Sequence, residues 1–331
     1  MIGNILYVIG NGFDRHHGLK TDVDSFLNIL DNRKIYPEMY NAIEFFDNYG
    51  VDWNEYENAL SKMELDVFDE DYIVAPDYMS DRESDRDGGI ENMRLCLKSI
   101  SEAIMDSLTE MVENANQDLN STSCKIKNIF REGDVILSFN YTSTIERLYE
   151  LPENIKILHI HGYYEDNDEL IFGYKNGDRD RIYKEKHFNE SAINSLEEKI
   201  KQTKKREDFT EKEKENIIDL YEEEINELTR DRDYYIDEQR EQIIDFYRGW
   251  GKNFQLQQLK KFLKNCGDID IVRVMGHSMA EVDSEYMEMI EKELNPRVWY
   301  ISQFKGYPLQ EDLRQYSFYS KIKFYELNDL N

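Results

Sequence analysis

Short apolar runs rich in Ile, Leu and Val occur at 5–9, 134–138, 156–160, 170–173, 270–275, 297–302 and 321–326. Segments with helical spacing separate most of them. Brief runs bounded by turn residues predict buried strands, and their alternation with helices predicts a mostly parallel sheet covered on both faces. The expected architecture is therefore α/β: a single Rossmann-like domain over 1–331 with two helical insertions, at 33–130 and 178–265.

The first insertion reads as mainly helical, broken by a charged loop from Ala75-Pro76-Asp77 to Gly88-Gly89. Trp53, Tyr56, Leu60 and Met63 recur there at helical spacing and predict a packed stripe. In the second, Ile193, Leu196 and Ile200 form one apolar stripe, and Ile217, Tyr221, Ile225 and Leu228 form another. Lys204-Lys205-Arg206-Glu207-Asp208 falls between them, so two amphipathic helices joined as a hairpin are expected. The heptad is too irregular for a coiled coil. The hairpin is a candidate surface for self-association into a homo-oligomer.

Charge narrows the function classes. The 41 Lys and Arg against 69 Asp and Glu give a formal net charge of −28. Duplex binding needs a basic surface to displace counterions from phosphate, so a nucleic-acid scaffold is disfavoured. No apolar stretch approaches the ~20 residues that span a bilayer, and the N-terminus lacks a signal-peptide pattern, so a cytoplasmic protein is expected. The 3 cysteines, Cys96, Cys124 and Cys266, are far apart. They fit neither a disulfide framework nor a zinc site, and no metal is expected.

Five of the 6 histidines fall in three segments that each follow a strand-like run. Ligands of parallel α/β sheets bind outside the carboxyl ends of the strands, so this placement predicts one polar site. The first segment, Gly10-Asn11-Gly12-Phe13-Asp14 with His17, reads either as a phosphate cradle or as a tight turn capped by Asp14. A carboxylate repels a phosphate, so Asp14 suits ribose hydroxyls or a helix cap better. In the second, His159 and His161 stand two apart on a strand and project to the same face, with Gly162 permitting close approach. A neutral imidazole takes a hydroxyl proton near neutral pH, and the amide of Asn140 both donates and accepts. The bland alternatives are a satisfied core histidine at His159 and a helix cap at Asn140. In the third, Gly276, His277 and Ser278 could line a second edge of the crevice, or Ser278 and Asp283 could cap the next helix.

These segments resemble the AbiH family of bacterial abortive-infection proteins. The resemblance rests on GNGFDRHHGLKT at 10–21, SFNYTSTIERLY at 138–149, HIHG at 159–162, IFGY at 171–174 and GHSMAEVD at 276–283, with Trp53-Asn54-Glu55-Tyr56-Glu57 similar to a further motif. It implies a role in defence against phage by arresting or killing the infected cell. A more distant similarity to sirtuins implies a sirtuin-related sheet that binds NAD. Gly10 and Gly12, Asn140, His161 with Gly162, and Gly276 with Ser278 occur in the sirtuin order, and Gly18-Leu19 falls where that pattern has a later Gly-Ile. Asn11 and Asp14 depart from its alanine and serine, and Thr142 from its aspartate. The four zinc cysteines of a sirtuin deacetylase are absent from the sequence, which speaks against protein deacetylation.

The expected activity is binding, with hydrolysis at the N-glycosidic bond, of NAD or a related nucleotide, without a metal. Asn140, His161 and His159 are the catalytic candidates. Gly10, Asn11, Gly12, Phe13, Asp14, His17, Gly162, Gly276, His277, Ser278 and Asp283 are the ligand-binding ones. Two other classes stay open: a nucleotide sensor without turnover, and an RNA-cleaving toxin using His159 and His161 as an acid–base pair.

Overall fold

A computed structural model of the chain describes residues 4–33, 57, 60–123, 126–127, 129–230, 232–304 and 311–330. Trp53, Tyr56 and Cys124 lie outside the described residues. The chain divides into two compact units, one formed by 1–60, 100–176 and 251–331 and the other by 61–99 and 177–250.

The first unit is built on six parallel strands, β1 (Asn4–Ile9), β2 (Val135–Ser138), β3 (Lys156–His159), β4 (Ile269–Met275), β5 (Val298–Gln303) and β6 (Ile322–Glu326), in the order β3-β2-β1-β4-β5-β6. This is the doubly wound, Rossmann-like order, in which the direction of winding reverses between β1 and β4. The run at 170–173 forms no strand. Its Ile171 N–H donates to the His161 carbonyl at 2.8 Å, and Tyr174 makes an isolated bridge to Gly251. Pairing of this kind, one bond at a time, does not make a ladder.

Both sheet faces are buried, as the apolar strand sequences require. Leu6, Val8, Leu137, Val272, Val274, Trp299 and Ile301 face a core completed by the helices Leu256–Lys264 and Ser284–Leu294. Tyr7, Ile9, Ile136, Ile271 and Met275 face a second cluster with Phe13, Ile129, Phe130, Ile145 and Tyr149.

The second unit is helical. The 36-residue helix Glu83–Asp118 crosses the division between the units. Glu190–Lys205 and Glu211–Thr229 form the expected hairpin, with the break at 206–210. A capping box starts the second helix: the Glu213 N–H donates to Thr210 Oγ1, and the Thr210 N–H to the Glu213 carboxylate at 2.8 Å.

Candidate functional site

The turns after β1 and β4 are locked together where the winding reverses. The Gly10 N–H donates to the Met275 carbonyl at 3.0 Å and the Gly12 N–H to the Gly276 carbonyl at 2.7 Å. Gly276 has φ +68, and a Cβ there would overlap the backbone nitrogen of Phe13. Only glycine fits such a contact. The pattern thus brings the first and last turns together, but it commits the amides of Gly10 and Gly12 to β4 rather than to a phosphate. Asn11 is engaged as well, its side chain bonded to the hydroxyl and carbonyl of Thr21. Phe13 is a core anchor against His17 and Tyr149. His17 has both ring nitrogens occupied, by the Phe13 carbonyl and the Tyr149 hydroxyl, each at 2.8 Å.

Asp14 does not cap the short helix Asn11–His16 but turns inward. Its Oδ2 accepts from the Thr142 hydroxyl at 2.6 Å, and its buried Oδ1 has no hydrogen-bond partner among the described residues. Burial pushes this carboxyl up to about 6, against the lowering effect of Thr142, Thr144 and Asn140.

Asn140 follows β2, where the Phe139 N–H donates to the Ile9 carbonyl and keeps the chain beside β1. Its Nδ2 donates to the Gly10 carbonyl at 3.1 Å. It does not cap the next helix, Thr144–Leu148, whose N-cap is Ser143.

His159 and His161 end in different surroundings. His159 closes β3, stacks on Tyr163, and presents Nδ1 to the Asn140 carbonyl at 3.0 Å and Nε2 to Glu146 at 2.9 Å. Both its nitrogens are satisfied. His161 lies past the strand end, where its ring meets the edges of Phe139 and Tyr286. It is only 5% exposed, and its Nε2 makes no hydrogen bond among the described residues. Burial, with Lys252 nearby, holds its pKa well below the ordinary value, so the ring is neutral near pH 7. Gly162 has φ +92, and a Cβ there would collide with the Glu169 carbonyl.

The third segment joins His161 to a buried ionic cluster. His277 Nδ1 accepts from the Met279 N–H at 2.9 Å, which leaves the ring proton on Nε2, 3.3 Å from Asp283 Oδ2. His161 Nε2 stands 3.5 Å from Asp283 Oδ1. Asp283 occupies the N-cap position of Ser284–Leu294 but its side chain makes no capping hydrogen bond; its partner is Lys252, with Nζ at 2.8 Å from Oδ1 and at 3.2 Å from Glu57 Oε1. Lys252 holds the Asp283 carboxyl far below the usual range despite burial. Glu57 shares the same lysine and is pushed up to about 7, burial outweighing the attraction. Ser278 is exposed.

Lys252 was not visible as a site residue in the sequence, and Glu57 only as the last letter of a motif. Lys252 sits in a chain segment dense in charge, where a lysine reads as solvated. A usable signal was its setting in Trp250-Gly251-Lys252-Asn253-Phe254, a lone cation between aromatic residues.

Among the described residues, no three His, Cys, Asp or Glu side chains are grouped to hold a metal ion, and no helix is long and apolar enough to cross a membrane. Neither curated proteins nor solved structures yield a match to the chain. The family model described as bacteriophage abortive infection AbiH matches residues 6–303, which takes in the turns after β1 and β4, Asn140, the His159–Gly162 segment and the Glu57–Lys252–Asp283 cluster. With that match running through every strand except β6, the chain belongs to the AbiH family of phage abortive-infection proteins.

Proposed function

We propose that this abortive-infection protein binds NAD or a closely related nucleotide at the carboxyl edge of its sheet and hydrolyses the N-glycosidic bond. The observation that carries this reading is the His161 ring, neutral and nearly solvent-free beside the Asn140 segment, whose Nε2 makes no hydrogen bond among the described residues although Asp283 Oδ1 stands 3.5 Å away. Such an atom suits a ribose hydroxyl. In the reaction, the bond from the ribose carbon to the ring nitrogen breaks, and its electron pair leaves with nicotinamide. Water adds to the ribose carbon and gives up a proton. The site must stabilise positive charge on the ribose as it develops. Asp14, whose Oδ1 has no hydrogen-bond partner among the described residues, and Asp283, which stays ionised beside Lys252, supply negative charge for this. Asn140 orients the water or the ribose. Gly162, Gly276, His277 and Ser278 shape the rim.

The test is chromatography of products from NAD incubated with the purified protein, beside Asn140→Ala and His161→Ala. Nicotinamide released by the parent and lost in both variants supports the assignment. Binding without release would favour a nucleotide sensor. No release, and no rise of Tm with NAD, would overturn the reading and direct the search to RNA.

A further inference from the structure

Among the described residues, the buried cluster sets two carboxyl groups against a single lysine. Lys252, with its side chain 1% exposed, lies between Asp283 and Glu57, whose side chains are 10% and 12% exposed. Neither histidine facing Asp283 makes up the difference: His161 is held neutral, and His277 uses Nδ1 as an acceptor. Among the described residues, the other groups facing Glu57 are Tyr141 and the backbone of Gly173. Tyr141 donates its hydroxyl to the Ile171 carbonyl at 2.7 Å and is pushed well above the usual tyrosine range. Once Lys252 and Asp283 neutralise each other, Glu57 has no cation of its own among the described residues. A buried carboxylate without one keeps its proton. His161 Nε2, 3.5 Å from Asp283 Oδ1, makes no hydrogen bond among the described residues, so polar capacity in the same cluster is unspent.

We propose that the Glu57–Lys252–Asp283 cluster receives a singly charged organic cation, and that Glu57 releases its proton to solvent as the ligand's charge arrives. The inference rests on the preceding section only for the choice of probe, an oxidised nicotinamide ring, whose single charge is spread over a flat aromatic system. No other reactant is needed: Glu57 passes from carboxylic acid to carboxylate, and the proton goes to water. The same preference would favour the oxidised over the reduced form of a nicotinamide nucleotide.

Isothermal calorimetry at pH 7, in two buffers of different ionisation heat, counts the protons released. The first probes are 1-methylnicotinamide, a cation because its ring nitrogen is methylated, and nicotinamide, its neutral counterpart; the second pair is NAD and NADH. With Glu57 pushed up to about 7, about half a proton should leave per cation bound, and the cation should bind about tenfold or more tightly than the neutral ring. Both effects should vanish in Glu57→Gln. Infrared difference spectra of the unliganded parent against Glu57→Gln should show a protonated carboxyl band near pH 6, a readout that needs no binding. NAD and NADH binding equally, without proton release, would overturn this inference and leave the nucleotide reading standing. 1-Methylnicotinamide binding with proton release while NAD fails to bind would do the reverse. Neither cation binding would overturn both.

Discussion

Lys252 Nζ stands 2.8 Å from Asp283 Oδ1, in a cluster that water barely reaches. Breaking such a pair from one side leaves an uncompensated buried charge. Lys252→Met should therefore cost roughly 3–5 kcal/mol of stability. Adding Asp283→Asn to it should restore a large part of the loss, because the orphaned carboxylate is removed. A double-mutant cycle by denaturant unfolding measures the coupling; additive losses would mean that the two charges do not depend on each other.

Asp14 gives a pH dependence whose sign is fixed. Its folded-state carboxyl is raised from the ordinary 3.8 to about 6 by burial. Between these values the folded protein holds a proton that the unfolded chain has lost, so this group's contribution falls as pH rises through that window. Asp14→Asn should match the parent near pH 4 and exceed it by up to roughly 3 kcal/mol above pH 6. Unfolding curves of the two proteins at several pH values test this. Asp283, held low by Lys252, acts in the opposite direction at acid pH and cancels in the comparison.

Two glycines with positive φ should respond very differently to alanine. Gly18 has φ +88 with nothing within 4 Å of a built Cβ, so Gly18→Ala should cost about 1 kcal/mol. Gly276 has similar backbone strain, but its Cβ would collide with the Phe13 and Gly12 backbone. Gly276→Ala should cost more than about 3 kcal/mol or prevent folding, since the two locked turns must part. Melting temperatures of the pair decide it.

In the helical unit, Gln239 is fully buried, and its amide accepts from the Val74 N–H at 3.0 Å while donating to the Val74 carbonyl at 2.9 Å. It acts as a side-chain substitute for a strand partner. Gln239→Leu fills the space but strands both backbone groups, and should destabilise the protein by roughly 2–4 kcal/mol in chemical denaturation. A change within about 0.5 kcal/mol would show that water takes over those bonds.

The strands at 5–9, 134–138, 156–160, 270–275, 297–302 and 321–326, the hairpin break after Lys205 and the glycine turns could all be read from the chain, because each is set within a window of a few residues. The run at 170–173 was misleading for the same reason: local composition favours a strand, but a strand exists only if a neighbour pairs with it. His159 and His161 share a strand-like alternation, yet the strand stops at His159, and past its end a period of two no longer governs where a side chain points.

What the sequence determined by itself, then, was the α/β class, the turns that meet at the sheet's carboxyl edge and the AbiH motifs. The tertiary structure decided the strand order β3-β2-β1-β4-β5-β6 and the partners across it. Asp14 and Thr142 are 128 residues apart, and Glu57 and Lys252 are 195 apart. Periodicity records which face of an element is buried; it carries no record of which distant charge will be buried against it. Pairing of that kind is fixed only when the chain crossings of the sheet bring the elements together and remove the water between them.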